Sequence, residues 1–431
     1  MTLLRPAGNK GRERPQRLFL GWMVVLAGAL ITFSETAFYN PVLGVFIPSF
    51  EKDFGWSRSG ISAAVTCGAL LGAAIAPIFG RMIDRSGGRL FVTCGGAVLA
   101  LDLVGMALMQ KEWQFIVLFA IGRGLAAGMI TLALSVTVSK WFIRRRGFAV
   151  GVLSLGSRLG AAVLPISIQL IIEASSWRVA AFALAGLVAT LGILPGVLWL
   201  HPHPEALRLE PDGSLTSPKK EQQARRSPEE DWTARDAIRT PAFWLLTMAV
   251  SLQSCCTGAI NLHQIPHLID RGLSAQTAAL IAGVLALSSI AGALLEGVLD
   301  IRLGTRWTMV IGLVGSATGV VVLINVNSTG MGLFYGAWYG LAFGLMLTSS
   351  QIVLADYFGR TSLGTIRGIS APFQMGFNAA GPLIAGIVYD ATGSYSAAFT
   401  LFALSFGAAA ISLTIARRPH PIKADVGVKP G

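Results

Sequence analysis

Long apolar stretches separated by short polar intervals run the whole length of this 431-residue chain. Twelve of them can cross a hydrocarbon core about 30 Å thick as helices. They fall at roughly residues 18–46, 59–79, 90–109, 115–138, 148–172, 180–200, 242–265, 275–298, 308–325, 332–355, 369–388 and 397–415. One long polar interval, 201–239, divides them six and six. Its prolines (Pro202, Pro204, Pro211, Pro218, Pro228) and mixed charges cannot form a core. The pattern predicts an all-α membrane protein with two six-helix halves, 18–200 and 240–416. A linker at 201–239 joins them, and basic tails occupy 1–17 and 417–431. The arginine-rich start resembles a signal peptide, but the apolar run is too long and no A-x-A-like cleavage site follows, so it reads as span one.

Composition supports this class. The chain is 53% hydrophobic and only 13% charged, with a mean hydropathy of +0.63, whereas a soluble domain carries about a quarter charged residues. The net charge of +12 is unevenly spread. Of 34 Lys and Arg, 27 fall on the side of the tails and linker and five (Lys52, Arg58, Lys111, Arg178, Arg271) on the other, with Arg123 and Arg158 inside spans. This bias puts both termini and the linker in the cytoplasm, as in a plasma membrane such as a bacterial inner membrane. Nucleic-acid binding would need a basic surface on a folded domain, and none is present.

Little points to catalysis or metal. Cys67, Cys94, Cys255 and Cys256 lie within spans, without CxxC or Cys/His spacing, and read as small packing residues. His201 and His203 are a proline-spaced pair without further ligands, which reads as loop. There is no Walker A, H-E-x-x-H or G-x-S-x-G sequence, so neither an enzyme nor a cofactor is expected.

The halves repeat each other. Gly124-Leu125-Ala126-Ala127-Gly128 in span four corresponds to Gly340-Leu341-Ala342-Phe343-Gly344 in span ten, 216 residues on. Lys140-Trp141-Phe142 matches Asp356-Tyr357-Phe358 at the same offset, and Arg146-Gly147 with Gly160 matches Arg367-Gly368 with Gly381 at 221. Such symmetry belongs to rocker-type carriers that hold cargo at the midplane between halves.

Buried charge narrows the cargo. Arg158 lies about twelve residues past the Arg144-Arg145-Arg146 cluster, hence about 18 Å deep. A guanidinium cannot shed its charge there and costs several kcal/mol, on the order of the scale for mid-membrane charges, unless it meets water or an anion. Arg123, on the glycine stripe of span four, lies higher, at the depth of Glu35. Glu35 shares a stripe of span one with Gly28, Thr32 and Tyr39. A carboxylate kept from water without a charged partner gains by taking up a proton, so Glu35 is a proton-coupling candidate. The alternative is a fixed salt bridge to Arg123 or Arg158. Further polar stripes read as cavity lining, since a lipid-facing helix would not hold them. Span seven carries Gln253, Thr257 and Gln264, with Asn261 and His263 beside them. Span ten carries Tyr335 and Tyr339, and span eleven Ser370, Gln374 and Asn378. His263 and His267 read as unremarkable residues near the outer surface.

Gly80-Arg81-Met82-Ile83-Asp84-Arg85-Ser86-Gly87-Gly88-Arg89, between spans two and three, resembles the G-x-x-x-D-R-x-G-x-R signature of the major facilitator superfamily. A degenerate copy, Asp300-Ile301-Arg302-Leu303-Gly304-Thr305-Arg306, occupies the same place in the second half. The resemblance implies a cytoplasmic gate built from Gly80, Asp84, Arg85, Gly87, Arg89, Asp300 and Arg302, in which Asp84 approaches a helix N-terminus of the other half. Glu296 beside the copy reads as part of this gate. In the resembled family third helices lie at the periphery. That favours a structural pair for Asp102, which is otherwise the second proton-coupling candidate. Trp141-Phe142-Ile143-Arg144-Arg145-Arg146-Gly147-Phe148-Ala149-Val150-Gly151, with Gly156-Ser157 and Gly160, is similar to a signature of monocarboxylate porters and oxalate/formate antiporters. Gly21-Trp22-Met23-Val24 resembles their opening. Arg158 is an addition to that pattern, and the basic residue those families place in helices eight and eleven is missing.

The sequence therefore predicts a secondary transporter, working as a monomer, for a small organic anion such as a mono- or dicarboxylate. Coupling would be to protons or a counter-anion. Arg158, Arg123, Tyr39, Gln253, Gln264, Tyr335, Tyr339, Gln374 and Asn378 are the substrate candidates. A drug or toxicant exporter of the same fold is the alternative, and a non-transporting sensor a lesser one.

Overall fold

A computed structural model describes residues 20–142, 146–201, 232–359 and 363–419. The expected tail 1–17, most of the linker 201–239 and most of the tail 417–431 lie outside the described residues. So do Arg144 and Arg145 and the side chains of Asp84, Arg85 and Arg146. Among the described residues the chain forms twelve long helices and no strand. The first six are α1 Leu20–Phe54, α2 Arg58–Ser86, α3 Gly88–Leu108, α4 (Glu112–Leu125, a π-helical turn Ala126–Ile130, then Thr131–Trp141), α5 Arg146–Ala174 and α6 Trp177–Trp199. The second six are α7 Pro241–Asp270, α8 Ala275–Leu303, α9 Thr305–Ile324, α10 Thr329–Phe358, α11 Leu363–Thr392 and α12 Ser396–Ile415. Eleven are long and apolar enough to cross a membrane; α11 is as long, but Pro372, Gln374, Asn378 and Pro382 keep it out of that set.

Local chemistry sets the helix ends. Ser57, Ser176, Ser274 and Ser328 accept hydrogen bonds from the first turns of α2, α6, α8 and α10, satisfying N–H groups that a helix start leaves free. At the opposite end, Gly87 and Gly304 turn the chain into α3 and α9 with the same positive φ of 79°, which only glycine adopts cheaply. The end with these two turns, Leu200 and Trp232 is termed here the linker end, and the other the distal end. Most helices overrun their apolar stretches, because helical hydrogen bonding continues where side chains already meet the interface. Span one departs further. Instead of one run over 18–46, α1 breaks at a 3₁₀ turn, Thr36–Phe38, and an extended Tyr39 (φ −101°, ψ 159°), then restarts at Asn40. Pro41 explains the break: it lacks an N–H, and its ring would strike the carbonyl four residues back.

The sequence repeat reappears as matched contacts. Gly72 of α2 packs on Gly124 and Gly128 of α4, and Gly292 of α8 packs on Leu341 and Gly344 of α10, the close crossings that small residues permit. Trp141 Nε1 donates to the carbonyl of His201 (2.9 Å), and Tyr357 Oη to that of Ala416 (2.8 Å). Arg89 caps the end of α6 at the Val197 carbonyl, and Arg306 caps the end of α12 at those of Leu413 and Thr414.

Among the described residues, contacts between the halves gather toward the distal end. Asn40 donates to the Gly258 carbonyl (2.8 Å) and Thr66 to that of Ala379 (2.7 Å), while Gly283 lies against Ala162. Nearer the linker end, a Cβ added at Gly151, Gly297, Gly368 or Gly376 would meet nothing within 4 Å. A clamp closes the distal end. Arg58, 4% exposed, gives paired hydrogen bonds to Glu51 (2.5 and 3.0 Å) in its own half and to Asp270 (2.7 and 3.1 Å) in the other. Asp390 of α11 accepts from the backbone N–H of Arg58 and Ser59 at the start of α2 (3.1 and 2.9 Å). The guanidinium also lies 3.7 Å over the Tyr389 ring.

Ser62, wholly buried beneath the clamp, offers a probe of it. In a background lacking the native cysteines, Ser62→Cys should resist a bulky thiol reagent. Adding Arg58→Ala should raise its reaction rate by about tenfold or more, since breaking a buried ion pair costs more than a factor of ten in the closed population. Equal rates in both backgrounds would mean that the clamp does not hold the distal end shut.

Candidate functional site

Where the halves part, α5 faces α8 and α10 across a cavity of about 1020 Å³. It runs from Val150 and Gln351 near the linker end to a roof made by Pro41, Asn261 and Gln264. Its walls are mainly apolar, with Leu155, Leu285, Ala286 and Phe343 prominent.

Arg158 stands midway along this cavity. One guanidinium nitrogen, Nη1, donates to both the carbonyl oxygen and Oγ of Ser289 on α8, each at 3.1 Å. Ser289 Oγ itself donates to the Ala286 carbonyl (2.7 Å), so its lone pairs face Arg158. Among the described residues no carboxylate lies within ion-pairing distance of Arg158. Its remaining N–H groups are left for whatever occupies the cavity. A planar fork of that kind suits a carboxylate.

Glu35, Tyr39 and Arg123 form a separate group inside the first half. Their stripe divides: Thr32 donates to the Leu153 carbonyl (3.0 Å) and Gly28 packs on Leu153, both against α5, while Glu35 turns to α4. Thr131 Oγ1 donates to Glu35 Oε2 (3.1 Å), whereas Glu35 Oε1 is buried without a hydrogen-bond partner. Tyr39 Oη lies 3.4 Å from the same Thr131 hydroxyl. Arg123 neither lines the cavity nor ion-pairs with Glu35. It donates to the Phe38 carbonyl (3.1 Å), a group that the break in α1 frees from helical bonding. The salt bridge weighed for Glu35 is therefore absent among the described residues. Asp102 likewise has no charged partner there; its Oδ2 is buried and unpaired, while the carboxyl accepts from the Gly122 backbone N–H of α4.

In the second half, Gln264 reaches the cavity, and Tyr335 stands behind it, donating to Gln264 Oε1 (3.0 Å). Tyr339 stacks on Tyr335 with ring centroids 5.5 Å apart, and its hydroxyl, like Gln253 Oε1, is buried without a partner. Asn378 donates to the Ser254 carbonyl (2.9 Å) and Gln374 to Ser370 (3.2 Å). Arg158 and Gln264 alone among the nine substrate candidates line this cavity. The other seven are not among its lining residues, because polar residues at helical spacing mark a face without saying which neighbour it meets.

The described gate residues of the linker end make no contact between the halves. Gly80 touches only Leu132 of its own half, Asp300 accepts from Thr305 (2.7 Å), and Arg302 is exposed. Glu296 is buried against α10, where Ser349 donates to it (3.3 Å). Two readings change. His263 is fully buried under the clamp: its Nε2 lies 3.0 Å from the Pro382 carbonyl, so Nδ1 accepts from Tyr395 Oη (2.8 Å). Cys67 and Cys94 are exposed rather than packed, because α2 and α3 turn those faces outward. Ser289 and the Arg58 clamp went unnoticed in sequence. Three acids near the same side's span ends, Glu51, Asp270 and Asp390, were the available signal for the clamp.

Comparisons with known proteins agree with this architecture. The sequence matches the Major Facilitator Superfamily over residues 24–299 and 264–430. It is 25% identical to monocarboxylate transporter 12 of Rattus norvegicus over 90% of this chain and 83% of that protein. It is 24% identical to the agnestins efflux protein of Paecilomyces divaricatus over 81% and 77%. The crystal structure of a bacterial homolog of the human lysosomal transporter Spinster, inward-facing and occupied, superposes with a TM-score of 0.64 at 15% identity, covering 94% of this chain and 96% of that one. These are multi-pass carriers and not enzymes. The chain belongs to the Major Facilitator Superfamily and is a transporter that resembles the monocarboxylate transporters.

Proposed function

We propose that this transporter carries an organic anion, a mono- or dicarboxylate, by alternating access coupled to protons or to a counter-anion. The observation that carries the reading is Arg158: a guanidinium at mid-depth in the cavity whose hydrogen bonds, among the described residues, go to Ser289. The relative named a monocarboxylate transporter supports the same charge class. The 27-to-5 distribution of basic residues supports a cytoplasmic linker end in a plasma membrane; in this reading the protein is a carrier acting as a monomer, open here toward the cytoplasm. Export is the second reading, favoured by the efflux relative. No aspartate or glutamate is among the described lining residues, so an anionic cargo is favoured in either direction.

Arg158→Ala should abolish saturable anion uptake into proteoliposomes while the protein remains inserted. Arg158→Lys should recover little of it, since an ammonium keeps the charge but loses the planar fork. Near-normal uptake by both variants would remove Arg158 from the substrate site.

Glu35 is the coupling group in this proposal, a lone buried carboxylate with one oxygen unpaired. Glu35→Gln mimics the protonated form. It should stop pH-driven accumulation yet preserve exchange of labelled for unlabelled substrate, because exchange needs only the loaded carrier to alternate. Accumulation by this variant under an acid-outside gradient would move the proton to another group, Asp102 first.

A further inference from the structure

The roof of the cavity carries polar groups that a small acid on Arg158 would never reach. Gln264 lines the cavity and its Oε1 accepts from Tyr335 Oη, while no described residue accepts from its amide N–H groups. Asn261, one helical turn earlier on α7, also lines the cavity, and its amide makes no hydrogen bond to any described residue. Amide N–H groups without a protein acceptor in a mainly apolar cavity give a place to a ligand group that accepts from them.

The separation of the two poles follows from α8. Arg158 meets Ser289, whereas Tyr335, the partner of Gln264, is flanked by Gly336, which packs on Ile281. Ile281 and Ser289 are eight residues apart on the helix, a rise of about 12 Å. The wall between them is apolar, formed by Ala161, Ala282, Leu285 and Ala286. Arg158 is the one basic residue among the described lining residues, so a second carboxylate at the roof would stand desolvated and unpaired.

We infer that the cavity takes an elongated monoanionic acid. Its carboxylate lies on Arg158, its apolar body along α8, and a neutral hydrogen-bond acceptor at its far end meets the amides of Asn261 and Gln264. An extended chain advances about 1.25 Å per bond of about 1.5 Å, so an acid of roughly eight carbons with a terminal oxygen covers about 10 Å and leaves the remainder to the hydrogen bonds at its ends. The inference rests on the anion reading above and adds length and a polar far end to it.

Dissociation constants of acetate, octanoate, 8-hydroxyoctanoate and suberate for the purified full-length protein in nanodiscs test it. Octanoate should bind on the order of a hundredfold or more tighter than acetate. The 8-hydroxy acid should bind about fivefold tighter than octanoate, and suberate more weakly than the 8-hydroxy acid. In Gln264→Leu the hydroxy-to-plain ratio should fall to near one. Asn261→Ala, which breaks no bond within the protein, gives the same reading if Gln264→Leu does not fold. Acids that bind through Arg158 without preference for length or for the far hydroxyl would overturn this inference and leave the anion reading intact. So would a hydroxy preference that survives both roof variants. Binding of none of the acids, or binding unchanged in Arg158→Ala, overturns both.

Discussion

A guanidinium that cannot lose its charge has to be compensated wherever a membrane protein puts it, and three arginines of this chain meet that demand in different ways. Arg58 is gripped by Glu51 and Asp270 and stacked on Tyr389, so its charge binds the two halves together. Arg123 is spent inside one half on the Phe38 carbonyl that the break in α1 exposes. Arg158 receives only a serine. The first two lie away from the cavity and tie protein to protein. The third stands beside a cavity with N–H groups that no described residue accepts, which is the ground on which it is proposed to meet the substrate.

Symmetry sharpens the same distinction. The capping arginines Arg89 and Arg306, the Trp141 and Tyr357 end contacts and the glycine crossings all recur in both halves. They are the shared scaffold. What does not recur is chemistry: Arg158 on α5 has Gly376 to Gly381 at the matching stretch of α11, and the Glu35–Thr131 pair has no counterpart among the described contacts of the second half. A duplicated frame lets each half move as a body, while the unmatched groups give the cavity two different walls.

Much of this was legible in the sequence because the membrane imposes it. Span length, the bias of basic residues and the repeat at spans four and ten need no knowledge of packing, and Arg158 stands out by depth alone. The break in α1 was also written there, in Pro41, yet the apolar run around it masked the signal. The clamp was not legible in the same way. Arg58 and its partners Asp270 and Asp390 are separated by more than two hundred residues, and each alone is an ordinary charge at a helix end. Nor could spacing say that Asn378 would serve the Ser254 carbonyl while Gln264 reached the cavity. Helical periodicity fixes a face, and only the rotation of one packed helix against another fixes what that face meets.

The composition of α11 bears on how such a chain is made. With two prolines, Gln374 and Asn378 along its length, it is the span a lipid environment accepts least readily. Its bonds to Ser254 of α7 and Thr66 of α2 become available only after those helices stand in the membrane. During synthesis it emerges late, when ten earlier spans can already receive it. The helix that contributes polar groups to the seam between halves is thus inserted into protein more than into lipid, and assembly of the carrier is tied to the order in which its helices leave the ribosome.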